Sequence, residues 1–194
     1  FVDEAVATAN LFPVVPVQTG SGDGIEELLR LIEHGFPTPG LHPNPPLTTT
    51  SGEVLPQPHS EPGDPLVAQV IRTTTDPFAG RLSMVRIFSG TLRTDDVVHV
   101  SGHRSWVAGA EDDAHPDHDN DERIGLIQGA VGTELKPRQQ AIAGEIVLLP
   151  KLGTAETGDT LSAKDRPGVV EAWALPDPLL PLAIRAATRN DEDK

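Results

Sequence analysis

Short apolar runs separated by turn residues dominate the chain after Pro65. Runs rich in valine, isoleucine and leucine, bounded by aspartate, glycine or proline, are typical of β-strands. Because no helical pattern separates these runs, they predict a mainly β fold, a six-stranded antiparallel β-barrel. The predicted strands cover Leu66–Arg72, Leu82–Phe88, Val97–Val100, Arg123–Gly129, Ala141–Leu149 and a closing run at Leu161.

Side chains in the middle of these runs are the candidates for the barrel core. Successive residues of a strand point to opposite faces, and apolar side chains face the interior. We expect much of the core from Leu82, Met84, Ile87, Val98, Ile124, Leu126, Ile146 and Val147.

A different pattern precedes the barrel. Apolar residues from Ile25 to Ile32 recur at helical spacing and predict a helix with one apolar face. A short strand is expected over 11–17, although two prolines weaken it, and a glycine-rich turn joins strand and helix. This pattern predicts an α/β unit over 1–37.

Three further segments complete the predicted organisation. Residues 38–64 form a proline-rich linker, and residues 65–166 the barrel. Residues 101–120 form a polar insert within it, expected to be mobile. Residues 167–194 contain one apolar run, Leu179–Ala186, which predicts the first strand of a further, truncated domain.

Charge and composition narrow the function classes. The formal net charge is −14, which opposes non-specific binding to DNA or RNA. Seven acids between Glu111 and Glu122 carry half of that charge. The chain has no cysteine, which excludes disulfides and thiolate metal sites and fits a cytoplasmic protein. The longest apolar run, Ala141–Leu149, is too short to span a bilayer, so no membrane partner is expected.

Motifs for catalysis or metal binding fail on their spacing. Gly20, Gly22 and Gly24 precede the helix, but no lysine follows them as a phosphate loop requires. The acidic run from Asp117 to Asp121 resembles the start of a calcium loop, yet Glu122 and Gln128 stand where that loop needs glycine and glutamate. We therefore predict no catalytic residue and no metal site in this chain.

Several motifs of the β region resemble the second domain of the elongation factor G family of translational GTPases. They occur in the order that this family has: Asp76-Pro77-Phe78-Ala79-Gly80-Arg81-Leu82, Val85–Leu92, Glu122-Arg123-Ile124-Gly125, Ala143-Gly144-Glu145-Ile146 and Thr157–Leu161. The flanks resemble the end of the GTPase domain and the entry into the third domain. The resemblance thus implies a segment of a longer protein, with its GTPase part at 1–37, domain II at 65–166 and the start of domain III at 167–194.

The resemblance also implies partners and ligands. The intact protein is expected to bind GTP and Mg²⁺, whereas this segment holds no cofactor and contributes Ser21 and Gly22 to guanine contact. Domain II of the family docks on the small ribosomal subunit, so ribosomal RNA is the expected partner of a monomeric segment. The arginines in or beside the β runs are the candidate RNA-binding residues: Arg81, Arg93, Arg104 and Arg123.

Departures from the family pattern leave alternatives open. Gly22 replaces the alanine of the usual Ser-Ala pair, and Arg93-Thr94-Asp95-Asp96 replaces a Gly-Asp turn. These changes suggest a divergent elongation-factor-G-like protein. A ribosomal-protection or recycling factor of the same superfamily is one alternative. A β-barrel interaction module that recruits a basic partner through the acidic insert (105–122) is the other.

Overall fold

A computed structural model describes residues 2–41, 44–76, 80–102, 117–132, 134–171 and 173. The chain divides into two compact units, residues 1–43 and residues 44–194. No helix in the described ranges is long and apolar enough to cross a membrane.

The first unit contains two helices, α1 (Val2–Ala7) and α2 (Ile25–Gly35). The predicted helix is confirmed as α2, whose first turn carries two glutamates that favour the positive end of the helix dipole. Gly24 precedes α2 with φ of 76°, and a Cβ there would lie 2.0 Å from the Pro16 carbonyl oxygen, so only glycine fits.

The strand predicted over 11–17 is wrong. These residues form no regular structure, and Phe12 and Val14 are 78% and 93% exposed. Pro13 and Pro16 lack the N–H group that a paired strand needs, which outweighed the apolar character of the run. Directly after this segment, Gln18 and Asp23 form an isolated antiparallel β-bridge.

The second unit is built of antiparallel strands, as the alternation of apolar runs and turns predicted. The strands of its described part are β1 (Leu47–Thr48), β2 (Val67–Asp76), β3 (Gly80–Ser89), β4 (Thr91–Arg93), β5 (Val97–Gly102), β6 (His118–Arg123), β7 (Ile127–Val131), β8 (Glu134–Arg138), β9 (Gln140–Ile142), β10 (Ile146–Pro150), β11 (Thr160–Ala163) and β12 (Val169–Val170).

Eight of these strands form one sheet, in the order β6-β5-β11-β2-β3-β10-β7-β8. Two small sheets, β4-β9 and β1-β12, complete the pairing. Two of the six predicted runs are each divided between two strands: Arg123–Gly129 spans β6 and β7, and Ala141–Leu149 spans β9 and β10. A bend at Gly90 and a turn at 143–145 account for the second division, because β4-β9 continues the β3-β10 ladder beyond them.

One apolar cluster fills the interior of these strands. Its fully buried members come from eight strands and two connections, and the largest are Val70, Val85, Ile87, Leu92, Val98, Val100, Ile124, Ile127, Val147, Leu149 and Leu161. Burial of a side chain of this size contributes about 1.5–3 kcal/mol, so the cluster is the main source of stability.

Four of the expected core residues, Ile87, Val98, Ile124 and Val147, belong to this cluster. Leu82 is buried but lies outside it, and Met84 is half-buried. Leu126 and Ile146 were assigned wrongly, since they are 37% and 51% exposed. Their sequence neighbours Ile127 and Val147 point inward instead, because a shift of one residue along a strand changes the face.

The polar insert is shorter than predicted. His118, Asp119 and Asn120 are the first half of β6, which pairs with β5 from Gly102↔His118 to Val97↔Arg123. Residues 103–116 lie outside the described part of the chain, as do 174–194 with the predicted strand Leu179–Ala186.

The proline-rich segment packs against the outer side of the large sheet. Leu47 and Val170, from the paired strands β1 and β12, form a second small cluster with Val67 of β2. The Asn44 amide donates to the carbonyl oxygens of Pro58 and Phe88. The turn predicted at Ser51-Gly52 is present, with Gly52 at φ of 85° and Thr49 N bonded to Glu53 O.

Candidate nucleic-acid interface

Besides its backbone pairing with β5, strand β6 is held to its neighbours by polar side chains. Its sequence, His-Asp-Asn-Asp-Glu-Arg, contains no apolar residue, yet each of its six side chains contacts another element. The alternation of a strand directs 118, 120 and 122 to one face and 119, 121 and 123 to the other. The first set meets the loop between β10 and β11 (151–159), and the second meets β5 and the turn before it.

Glu122 is the most extensively bonded of these side chains. Its carboxylate accepts hydrogen bonds from the backbone amides of Gly153, Thr154 and Ala155 and from the Thr154 hydroxyl. Burial alone would raise the pKa of this carboxyl, but the bonds from Thr154, Gly153 and Ala155 together outweigh it and the pKa lies below its ordinary value. Glu122 is therefore a fixed negative charge at the end of the sheet.

Arg81 approaches the same loop from another side. Its guanidinium donates to the carbonyl oxygens of Gly153 at 3.0 Å and Ala155 at 2.7 Å. One of its nitrogens also lies 3.9 Å from the carboxylate of Glu156. Arg81, the first of the predicted RNA-binding arginines, thus has its guanidinium bonded to other groups of the same domain.

Arg93 and Arg123 lie together at the turn between β4 and β5. Arg123 forms an ion pair with Asp95 at 3.1 Å, and both side chains are about two-thirds exposed. The Arg93 amide is capped by Asp96, while its exposed side chain has no ion pair within the described part of the chain. Arg104, the fourth predicted arginine, lies outside the described residues.

Arg81 does not belong to the same cluster as this pair. It is the second residue of β3, whereas Arg93 ends β4, which follows β3 after Gly90. Arg81 donates to the 151–159 loop, whereas Arg123 pairs with Asp95 in the turn after β4. The predicted arginines therefore form one pair and one separate residue, with Arg104 undefined.

Two histidines line β5 and β6 beside acidic groups. His118 Nδ1 lies 2.7 Å from the buried carboxylate of Asp159, and His99 Nδ1 lies 3.1 Å from Asp121. Burial raises the pKa of Asp159, an effect that its bonds from Glu156 N and His118 reduce. The pKa of Asp121 is lowered by its hydrogen bonds from Lys164 and then His99.

Sequence reasoning missed Glu122, Thr154 and Asp159 as site residues. A polar stretch without apolar periodicity gives no strand signal, and the partners of Glu122 are 31 to 33 residues away in sequence. The one available signal was that Glu122 and Asp159 both lie in motifs that resemble the family. In the described residues no group of three or more histidine, aspartate or glutamate side chains could hold a metal ion.

The predicted guanine-contacting pair lies in the first unit, in the turn closed by Gln18 and Asp23. The Ser21 hydroxyl donates to the Asp23 carboxylate at 2.7 Å, and the Gly22 amide donates to the Gln18 carbonyl at 2.9 Å. Gly22 has φ of 86°, a left-handed conformation that favours glycine over the family's alanine. Both groups therefore have intramolecular partners that a nucleotide would have to replace.

Comparisons with known proteins agree with this architecture. An elongation factor G-like protein of Mycobacterium tuberculosis (strain ATCC 25618 / H37Rv) is 47% identical over 198 positions, which cover 100% of this chain and 27% of the relative. Elongation factor G of Pseudothermotoga lettingae is 29% identical, covering 98% of this chain and 25% of the relative. The chain thus spans about a quarter of the length of these relatives.

The solved structures include a similar fold. A crystal structure of a protein from Thermus thermophilus matches 87% of this chain and 21% of its own with a TM-score of 0.53 and 25% identity. The family model described as elongation factor G domain 2 matches residues 65–164, which include β2 to β11. The motifs of these strands predicted that relationship, and the chain belongs to the elongation factor G domain 2 family.

Proposed function

We propose that residues 65–164 dock on the RNA of the small ribosomal subunit, as one domain of a cytoplasmic translational GTPase. The observation that carries this proposal is the family match, which covers the large antiparallel sheet and its core. Docking through the domain would let the ribosome sense the state of a GTPase domain joined to it.

The charge of the chain limits how this contact forms. With a net charge of −14, most of the surface repels phosphate, so RNA contact must be local and short-ranged. Arg93 is the best placed of the predicted arginines because its guanidinium is exposed and free of an ion pair in the described residues. Arg123 can join it only by sharing or leaving Asp95.

GTP and Mg²⁺ belong to the intact translation factor in this proposal. The sequence lacks the Gly-x-x-x-x-Gly-Lys phosphate loop, and Ser21 and Gly22 would supply at most a guanine contact. Hydrolysis would therefore depend on residues outside this chain, and the segment itself acts by binding.

Sedimentation with purified ribosomal subunits tests the proposal. The chain should pellet with small subunits and much less with large ones. Arg93→Glu combined with Arg123→Glu should weaken this binding, because two charges facing phosphate change sign. Arg30→Glu reverses one arginine charge on α2, outside the matched domain, and should leave binding unchanged.

The same experiment separates the alternatives. Equal pelleting by wild type and the double variant would contradict the arginine contact. If replacement of 105–116 by a short turn, with Arg104 kept, abolished binding, the acidic insert would be the binding element and a protein-interaction module would be favoured. A recycling or protection factor would bind the same subunit and differ in the activity of the full-length protein.

A further inference from the structure

The loop between β10 and β11 directs three successive backbone amides at one anion. Gly153 N donates to Glu122 Oε2 at 3.0 Å, while Thr154 N and Ala155 N donate to Oε1, the latter at 3.2 Å. The Thr154 hydroxyl adds a fourth donor to Oε1. Consecutive amides that converge in this way form a nest, a concave backbone site for anions.

Arg81 fixes the orientation of this nest, which we define as Gly153–Ala155. In a trans peptide the N–H points away from the C=O. By bonding the Gly153 carbonyl, Arg81 turns the next amide, that of Thr154, toward Glu122. Its second bond, to the Ala155 carbonyl, holds the other end of the nest. Arg81 is thus a positioning residue that keeps the donors aligned whether or not Glu122 occupies them.

The occupant of the nest has the same acceptor chemistry as a phosphodiester. Each presents two anionic oxygens and carries one negative charge, and backbone amides are common phosphate donors. Glu122 reaches the nest from β6, an edge strand without an apolar residue, and Gly153 and Thr154 are exposed to solvent. A phosphate group therefore has access to the donors once the Glu122 side chain turns away.

We propose that the nest is a phosphate-binding site that Glu122 occupies as an internal anion, and that an RNA backbone phosphate takes its place. The geometry of the three amides indicates that the ligand is a phosphate group. Only the identification of RNA as the molecule that carries this phosphate rests on the proposed function. Exchange of one anion for another leaves the charge on the nest unchanged. Glu122 then acts as a competitor that allows only well-placed phosphates to bind.

Nuclear magnetic resonance of the ¹⁵N-labelled chain tests the site directly. Inorganic phosphate and, separately, a short mixed-sequence RNA duplex are added while the amide signals of 153–155 are followed. Glu122→Gln keeps the side-chain shape and removes the competing charge, so phosphate should bind these amides about tenfold more tightly than in wild type. Glu53→Gln makes the same change on an exposed residue outside the loop and should behave as wild type. Arg81→Gln added to Glu122→Gln should reverse the gain.

The outcomes distinguish whether the nest binds phosphate from whether that phosphate belongs to RNA. Shifts confined to the nest amides with both ligands support the proposal, whereas shifts with phosphate but not RNA overturn RNA as the source and leave free phosphate. A folded Glu122→Gln chain with no shift at these amides in phosphate up to about 10 mM overturns the site. If that variant unfolds, Glu122→Asp, which retracts the carboxylate, is held to the same criterion. Failure of wild type to pellet with small subunits contradicts the proposed function without affecting the phosphate result.

Discussion

At the scale of single residues, Gly90 determines where the long β3-β10 ladder bends into β4-β9. Its φ is 78°, and a Cβ would lie 2.6 Å from the Asp64 carbonyl oxygen and 2.7 Å from the Leu66 amide. Both the left-handed backbone and the close approach exclude a side chain. Gly90 thus allows two backbone segments to touch at the edge of the core.

Gly90→Ala should therefore destabilise the domain by about 2 kcal/mol or more, since an L-residue is strained at this φ and the neighbouring backbone must move. Urea unfolding followed by circular dichroism measures the change. Gly63→Ala is the matched control, because nothing lies within 4 Å of its added Cβ, and it should change stability by less than about 0.5 kcal/mol. Equal effects of the two changes would contradict the steric account.

A second prediction for a single residue concerns Glu122 and the stability of the fold at acidic pH. A carboxyl whose folded-state pKa is lowered stabilises the fold above its unfolded pKa, and that contribution is lost as pH falls through the folded value. Asp159, whose pKa is raised, has the opposite sign and favours the fold on protonation. Between about pH 5 and pH 3, wild type should thus lose more stability than Glu122→Gln.

Urea unfolding at a series of pH values tests this difference. Glu53→Gln, a change at an exposed side chain, should follow the wild-type curve. Parallel curves for wild type and Glu122→Gln would show that the four hydrogen bonds to Glu122 contribute nothing that depends on its charge.

At the scale of elements, strands differ in how many apolar side chains they contribute to the core. Val85 and Ile87 tie β3 to the core, and β2 and β10 flank it. Strand β6 ends the sheet and is held by ion pairs and hydrogen bonds to polar groups. Exposed charge pairs are weak and screened by salt, so β6 should open more readily than β3.

Hydrogen exchange followed by mass spectrometry measures this contrast. Raising salt to about 1 M, where the Debye length is about 3 Å, should speed exchange of the His118–Arg123 amides several-fold. The Gly80–Ser89 peptide provides the internal control and should change little. Unchanged protection of β6 in high salt would show that backbone pairing alone holds it.

The same contrast explains which elements the sequence predicts. Valine and isoleucine at Val85, Ile87, Val98 and Val100 carry the β signal in their own segment, so β3 and β5 follow from local pattern. The partners of β6 are Asp159, Lys164 and Thr154, which are distant in sequence and become neighbours only in the folded sheet. For the same reason, the hydrogen bonds from Arg81 to the carbonyl oxygens of Gly153 and Ala155 could not be predicted from the sequence.

At the scale of the whole molecule, the chain contains a region that matches elongation factor G domain 2 and a separate unit, residues 1–43, that the match does not include. The matched residues, 65–164, contain the apolar core. In the first unit, by contrast, exposed apolar side chains lie before and after α2, for example Phe12 and Phe36. The family relationship was predictable because its motifs are local. The positions of Leu126 and Ile146 were not, because the register that decides the face depends on strand pairing.

The isolated chain should therefore not bind GTP at micromolar concentration. Micromolar affinity corresponds to about 8 kcal/mol, and one guanine hydrogen bond contributes about 1 kcal/mol. Moreover, the Gly22 amide would have to leave the Gln18 carbonyl. Fluorescence anisotropy of labelled GTP should show no saturation, and saturable binding near about 1 μM would contradict this assignment.

Salt dependence of binding to small ribosomal subunits is the most direct test of docking on RNA. If the domain contacts RNA phosphates, the logarithm of the binding constant should fall linearly with the logarithm of salt concentration. The slope should become shallower in Arg93→Glu/Arg123→Glu and stay unchanged in Arg30→Glu. Binding that is insensitive to salt, or equally steep in all three proteins, would contradict docking through these arginines on ribosomal RNA.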